Sequence, residues 1–298
     1  MTELFGANLV AMVTPMQPDG AICDAGLVSL VDHLLATGCD GIVVNGTTGE
    51  APTVTDAEAA RLVQAVAAQA QGRARVIAGV GTYDTASSVS RARDAAAAGA
   101  DALLVVCPYY SKPTQAGVIA HCRAVADATD LPVMLYDIPG RAGIPMETET
   151  LVELAAHPRI RAVKDAKGDL FAAMSVMSRT SLSYYCGIDE LNLPYLACGA
   201  AGVVSVVGNV VADRVAELIR AVRAGDLATA QRIQTALIPL TDAIMRTSQG
   251  AIMAKAALAE LAVIPHATVR LPLVESPPEH LDRLRDALAA MFREPVAV

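Results

Sequence analysis

Eight short apolar runs rich in β-branched residues recur along the chain and limit the folds open to it. They span residues 8–14, 41–45, 75–80, 102–106, 132–136, 160–164, 182–186 and 202–206. Their centres lie roughly 20–35 residues apart, about the length of one strand–helix unit. Most are apolar on both parities, the mark of strands covered on both faces, as in a parallel sheet. Helix-like stretches lie between most of them, among them residues 56–71 and 87–98. Eight such units predict an α/β chain folded as a (β/α)8 TIM barrel rather than an open sheet.

A weak internal repeat agrees with this. Thr37-Gly38-Cys39-Asp40-Gly41-Ile42, Ala98-Gly99-Ala100-Asp101-Ala102-Leu103 and Cys198-Gly199-Ala200-Ala201-Gly202-Val203 each read as a helix end, a glycine, two short residues and a strand. Glycine there suits the left-handed conformation that closes a helix. Thr55-Asp56-Ala57-Glu58 has the spacing of a capping box opening the helix after the second strand. Beyond about residue 225 the strand signals stop. Helices are expected near 227–247, 250–261 and 278–292, joined by a Pro-bearing loop around 265–277. The chain thus divides into a catalytic barrel, 1–224, and a C-terminal helical extension, 225–298.

Composition excludes several classes of function. Hydrophobic residues make up 53% of the 298 residues and charged residues 18%, enough for a large core. The net charge is −8, with no basic stripe, which argues against nucleic acid or an anionic membrane surface as partner. The six cysteines (Cys23, Cys39, Cys107, Cys122, Cys186, Cys198) form no Cys-x-x-Cys pair and read as small core residues of a reducing compartment. The apolar stretch near 7–13 is too short to span a bilayer, and the start lacks a basic region, so a cytoplasmic protein is expected. The five histidines (His33, His121, His157, His266, His280) show no metal-ligand spacing, and no metal or cofactor is expected.

Of the four lysines, only Lys164 is flanked by apolar strand residues; Lys112 and Lys167 lie in loops and Lys255 in an Ala-rich helical stretch. By alternation Ile160, Ala162 and Lys164 share a face, with small Ala162 leaving room beneath the lysine. Burial penalises the ammonium form, and a free amine attacks carbonyls. A lysine snorkelling from the strand end, or paired with Asp165, is the competing reading. Barrel enzymes carry their chemistry at the C-terminal strand ends. After the second strand stands Asn45-Gly46-Thr47-Thr48-Gly49-Glu50, either an ordinary Gly/Thr turn or a turn whose N–H groups converge on an anion. After the fourth stands Pro108-Tyr109-Tyr110-Ser111-Lys112-Pro113, presenting two phenols. The fifth ends in Tyr136-Asp137-Ile138-Pro139-Gly140-Arg141, where Pro132, Met134 and Tyr136 share a face. Tyr136 then points inward, as core or as a proton carrier beside the amine.

Taken together, Gly46-Thr47-Thr48-Gly49-Glu50, Tyr136 with Pro139 and Arg141, and Lys164 resemble the pyruvate-dependent class I aldolases, the dihydrodipicolinate synthase and N-acetylneuraminate lyase family. The similarity runs from about residue 9 to residue 209, and the C-terminal helical segment fits too. The resemblance implies a Schiff base between Lys164 and pyruvate, with Tyr136 as acid/base. It implies that the Thr47 hydroxyl links Tyr136 to a second tyrosine, matched by Tyr110, which in the family reaches in from a neighbouring subunit. Thr48 would hold the pyruvate carboxylate, and the Val204 main chain and Gly187 would line the same site. Arg141 matches the arginine whose forked guanidinium grips the carboxylate of aspartate semialdehyde in synthase members and which sugar-acid lyases usually lack.

The resemblance therefore implies condensation of pyruvate with aspartate semialdehyde, on the lysine and diaminopimelate route, in a homotetramer built as a dimer of dimers. One departure stands against it: Gly187-Ile188-Asp189-Glu190 replaces the Gly-Asp-Asp common in synthases and is closer to the lyase pattern. The rivals are a pyruvate aldolase cleaving N-acetylneuraminate or a 2-keto-3-deoxy sugar acid, and a catalytically silent binding barrel. A phosphate-binding barrel is disfavoured, because no Gly-rich loop precedes a helix near the seventh and eighth strands. Some synthases bind lysine through a short polar residue, two histidines, an asparagine, a glutamate and a tyrosine. The matching positions here are Ala51, Asp56, Ala59, Tyr83, Ser87 and Tyr109, of which only Tyr109 keeps its type, so feedback by lysine is expected to be weak or absent.

Overall fold

The computed structural model describes residues 4–293. Each of the eight apolar runs forms a strand: β1 (Asn8–Ala11), β2 (Gly41–Val44), β3 (Arg75–Gly79), β4 (Ala102–Val106), β5 (Val133–Asp137), β6 (Ile160–Asp165), β7 (Ser183–Cys186) and β8 (Gly202–Ser205). They pair in sequence order, and β8 returns to β1 to close a parallel barrel. β1 stops at Ala11, short of the expected Thr14. There the Asn209 side chain donates to the Ala11 carbonyl at 2.9 Å and accepts from the Val13 N–H at 3.2 Å, taking over the ladder's hydrogen bonds.

Alternation sorts the strand side chains into two layers. Leu9, Val43, Ile77, Leu104, Met134 and Ala162 fill the barrel, while their sequence neighbours pack outward against the helices. Ile160 departs from the expected pattern: it packs in the outer layer and does not share the face of Ala162 and Lys164. The cause is a register shift between Val133 and Met134 on β5, which pair with Ile160 and Ala162 and leave Arg161 unpaired and exposed. One extra residue reverses the alternation below it and leaves Lys164 inward-facing.

Local signals explain the connections. Gly38, Gly99 and Gly199 adopt φ of 85°, 92° and 98° at the ends of their helices. The Thr55 box is complete: Glu58 N–H donates to the Thr55 hydroxyl at 3.3 Å, and Thr55 N–H donates to the Glu58 carboxylate at 3.0 Å. After the helix Gly208–Arg223 come three more, Leu227–Met245, Gly250–Glu260 and Pro278–Arg293, which pack beside it and each other. All six cysteines are free thiols, and all but Cys198 are buried. Burial pushes the Cys39 and Cys107 thiols up to about 12. No helix among the described residues is long and apolar enough to cross a membrane.

Candidate active site

Parallel pairing sets Tyr136 of β5 directly beside Lys164 of β6, and Lys164 beside Tyr185 of β7. All three face inward at the C-terminal end of the barrel, each 5% exposed or less. The Lys164 amine lies 4.2 Å from the centre of the Tyr136 ring. Tyr185 floors this group, its hydroxyl donating to the Gly6 carbonyl at 2.8 Å and its ring meeting Phe5 edge-on. Gly187, one residue past β7, clears the path of the lysine: a Cβ there would stand 3.0 Å from Lys164 Cε and 3.1 Å from Cγ.

The pairing of Lys164 with Asp165 does not occur. Asp165 lies on the opposite face and accepts from the Lys167 N–H at 2.8 Å, and Lys164 forms no ion pair among the described residues. The amine is therefore confined by apolar and aromatic groups with no carboxylate partner, an arrangement suited to a nucleophile.

The turn after β2 is bracketed by two left-handed residues, Asn45 (φ 57°) and Glu50 (φ 58°). Its bonds run from Gly49 N–H to Gly46 O, Glu50 N–H to Thr47 O and Ala51 N–H to Gly46 O. The N–H groups of Thr47 and Thr48 donate to none of these. Asn45 also abuts β3 closely: a Cβ on Gly79 would stand 2.2 Å from the Asn45 carbonyl oxygen. The turn, Tyr136 and Arg141 share one cavity of about 240 Å³, whose wall also includes Leu104, Ile138 and Tyr109. Arg141 lies on the short helix Pro139–Ala142, exposed and without an ion pair among the described residues. Thr48, Gly187 and Val204 lie off that wall, and Val204 packs in the inner layer with Tyr136.

Tyr110 is not brought to the site within one chain. It is 92% exposed with φ 73° and projects outward, while its neighbour Tyr109 lines the cavity and meets the Tyr83 ring edge-on at 5.5 Å. The Asp189-Glu190 pair also falls elsewhere. Buried Asp189 accepts from the Ser205 hydroxyl and from the Val206 and Val207 N–H groups at 2.8 and 3.1 Å. Glu190 faces Arg246 at 3.5 Å. Asp189 is thus the clamp on the end of β8, and neither residue lines the cavity, so the departure from the synthase pattern does not shape its wall.

Sequence reading overlooked a second group behind the site. Asp137 and Asp165, side by side at the ends of β5 and β6, face away from the barrel axis. Asp137 accepts from Met146 N–H at 3.1 Å and lies 3.6 Å from Lys167 Nζ. Burial outweighs these partners and pushes its carboxyl up to about 6. Burial raises Asp165 as well, and the Tyr184 and Tyr195 hydroxyls rise for the same reason.

Residues 4–291 match the model of the dihydrodipicolinate synthetase family. The chain is 52% identical to 4-hydroxy-tetrahydrodipicolinate synthase of Mycolicibacterium paratuberculosis over 279 residues, covering 94% of this chain and 92% of that one. Among solved structures, dihydrodipicolinate synthase from Cyanidioschyzon merolae with lysine bound is 38% identical, with a TM-score of 0.93, covering 97% of this chain and 98% of that one. The chloride-inhibited synthase from Acinetobacter baumannii, complexed with pyruvate, is 34% identical, with a TM-score of 0.93, covering 96% and 99%.

The buried Asp137 carboxyl makes a prediction about stability. Its value in the fold is raised from 3.8 to about 6, so the folded state holds the proton more tightly than the unfolded one. The contribution of protonated Asp137 is complete below about pH 4 and is lost as pH rises through 6. Asp137→Asn, which cannot ionise, is expected to match wild type near pH 4 and to exceed it by roughly 1–3 kcal/mol at pH 8. Denaturant unfolding at the two pH values measures the difference.

Proposed function

This chain belongs to the dihydrodipicolinate synthetase family, and from that premise we infer that its barrel mouth condenses pyruvate with aspartate semialdehyde, the activity of a 4-hydroxy-tetrahydrodipicolinate synthase. The observation that carries the assignment of roles is the register of β5 and β6, which sets Tyr136 against a buried Lys164 without an ion pair; Tyr136 in turn lines the cavity with Thr47 and Arg141, a wall to which Lys164 itself does not belong.

The Lys164 amine adds to the pyruvate ketone, and loss of water leaves an imine. Tyr136 carries the protons for this step, with the Thr47 hydroxyl as its link outward. The Thr47–Thr48 turn receives the pyruvate carboxylate on free N–H groups. A protonated imine is an electron sink, so the pyruvate methyl loses a proton and the resulting enamine carbon attacks the aldehyde. Arg141, free at the cavity wall, takes the carboxylate of the aldehyde substrate. Gly187 and the main chain at Val204 complete the floor. The free thiols agree with a cytoplasmic setting.

The test is a coupled assay with pyruvate and aspartate semialdehyde, run beside N-acetylneuraminate cleavage. Turnover is expected in the first and none in the second; the reverse would refute the assignment. Tyr136→Phe is expected to lower turnover by about 10²-fold, and near wild-type turnover would remove Tyr136 from the proton path.

Tyr110, outward-facing in one chain, is read as completing the site of a second copy, in a dimer that pairs into a tetramer. Mixing Lys164→Ala with Tyr110→Phe subunits then yields hybrid dimers with one intact site. Recovered activity in the mixture is the expected result, and a fully active monomer would contradict it.

Lysine is expected to inhibit weakly or not at all. Its amine would meet Ser87 where a carboxylate is needed, and Asp56 is engaged by Arg91 at 2.7 Å. Lysine titrated into the assay measures this, and strong cooperative inhibition at submillimolar lysine would overturn it.

A further inference from the structure

The least exposed cation among the described residues is not the nucleophile. Lys255, in the middle of the helix Gly250–Glu260, is 0% exposed, and its ammonium reaches Glu50, the last residue of the threonine turn. Its second partner is the Thr268 carbonyl, to which it donates at 2.7 Å. The other oxygen of the Glu50 carboxylate accepts from the Arg270 N–H at 2.9 Å. The Arg270 guanidinium then fixes the flanks of the turn. It donates to the Thr53 carbonyl at 2.7 Å, to the Gly20 carbonyl at 2.9 Å and to the carboxylate of Glu58. These bonds hold Glu50 in a left-handed conformation that a residue with a Cβ seldom adopts.

The backbone translates that grip into the site. Glu50 N–H bonds the Thr47 carbonyl at 3.1 Å, and the Glu50 carbonyl accepts from Thr53 N–H at 2.9 Å. Moving Glu50 therefore moves the Thr47 carbonyl and, in the same planar peptide unit, the Thr48 N–H. A buried ion pair contributes little net stability compared with apolar side chains of the same size, so stability alone is a poor account of a lysine carried through the core to this one residue.

We propose that Glu50, Lys255 and Arg270 are positioning residues for the pyruvate carboxylate, through which the C-terminal helical segment sets the geometry of the threonine turn. The proposal rests on the reading of that turn as the carboxylate site. It gives the C-terminal segment a part in substrate binding, although none of the cavity-lining residues comes from it.

Calorimetric titration of pyruvate, with no aldehyde present, tests it on three proteins. The double variant Glu50→Gln/Lys255→Met removes both charges and so leaves neither unpaired in the core. Arg270→Gln, at the periphery, keeps the fold intact should the double variant fail to fold. Pyruvate affinity is expected to fall about 10-fold or more in the double variant and about 3-fold in Arg270→Gln, the scale of a sub-ångström misplacement of binding groups. The KM for pyruvate should rise with it, while kcat at saturating pyruvate changes less than about 3-fold. Folded variants that bind pyruvate as wild type does, even with a lowered melting temperature, would show a purely structural pair and overturn the proposal. Wild type that fails to bind pyruvate would instead overturn the carboxylate-site reading, and the proposal with it.

Discussion

A lysine amine held inside a barrel, without a carboxylate, is the constraint around which the rest of the site is arranged. No ion pair ties the buried amine down, so its position on the inner face leaves it open to a carbonyl. Three local features allow it: the Tyr136 ring at 4.2 Å, small Ala162 one step below on the same face, and the missing side chain at Gly187. The parallel register is what makes them neighbours. A slip of one residue on β6 would send Lys164 outward and Asp165 inward, replacing a nucleophile with an acid.

Around that centre the strand ends are tied by buried polar groups rather than by apolar packing alone. Asp189 gathers the end of β8 through one hydroxyl and two N–H groups, Asn209 takes over the ladder past β1, and Glu50 anchors the turn after β2 to the C-terminal helices. Each satisfies groups that would otherwise be orphaned where the barrel opens, and each is directional, unlike hydrophobic contact. The layer of apolar side chains inside the barrel sets its stability; these clamps set the positions of its loops.

How much of this was legible in the sequence follows from the range of each interaction. Strand runs, closing glycines and the Thr55 box are local patterns, and all eight strands and the C-terminal helices form within the expected runs or close to their bounds, β1 ending early at Ala11. The inward face of Lys164 was readable by alternation, yet Ile160 was misplaced because a bulge on β5 and β6 has no signature within β6 itself. Long-range pairs were invisible. Lys255 reads as one polar residue in an Ala-rich helix, and its partner lies 205 residues away. Its isolation between alanines was the available signal, since an exposed lysine needs no such flanks. A far shorter separation, 16 to 18 residues, still hid the role of Asp189: its proximity in sequence to the expected substrate positions suggested specificity, while its carboxylate is spent on Ser205, Val206 and Val207. Tyr110 is a different case: a single chain does not contain the site it is expected to serve.

The central claim is that the Lys164 amine forms the covalent link to pyruvate. Borohydride added to protein and pyruvate reduces an imine to a stable amine, and digestion with mass spectrometry locates the modified residue. The account predicts an adduct on Lys164 that is absent when pyruvate is omitted. An adduct only on Lys112, Lys167 or Lys255, or no adduct at all, would contradict it.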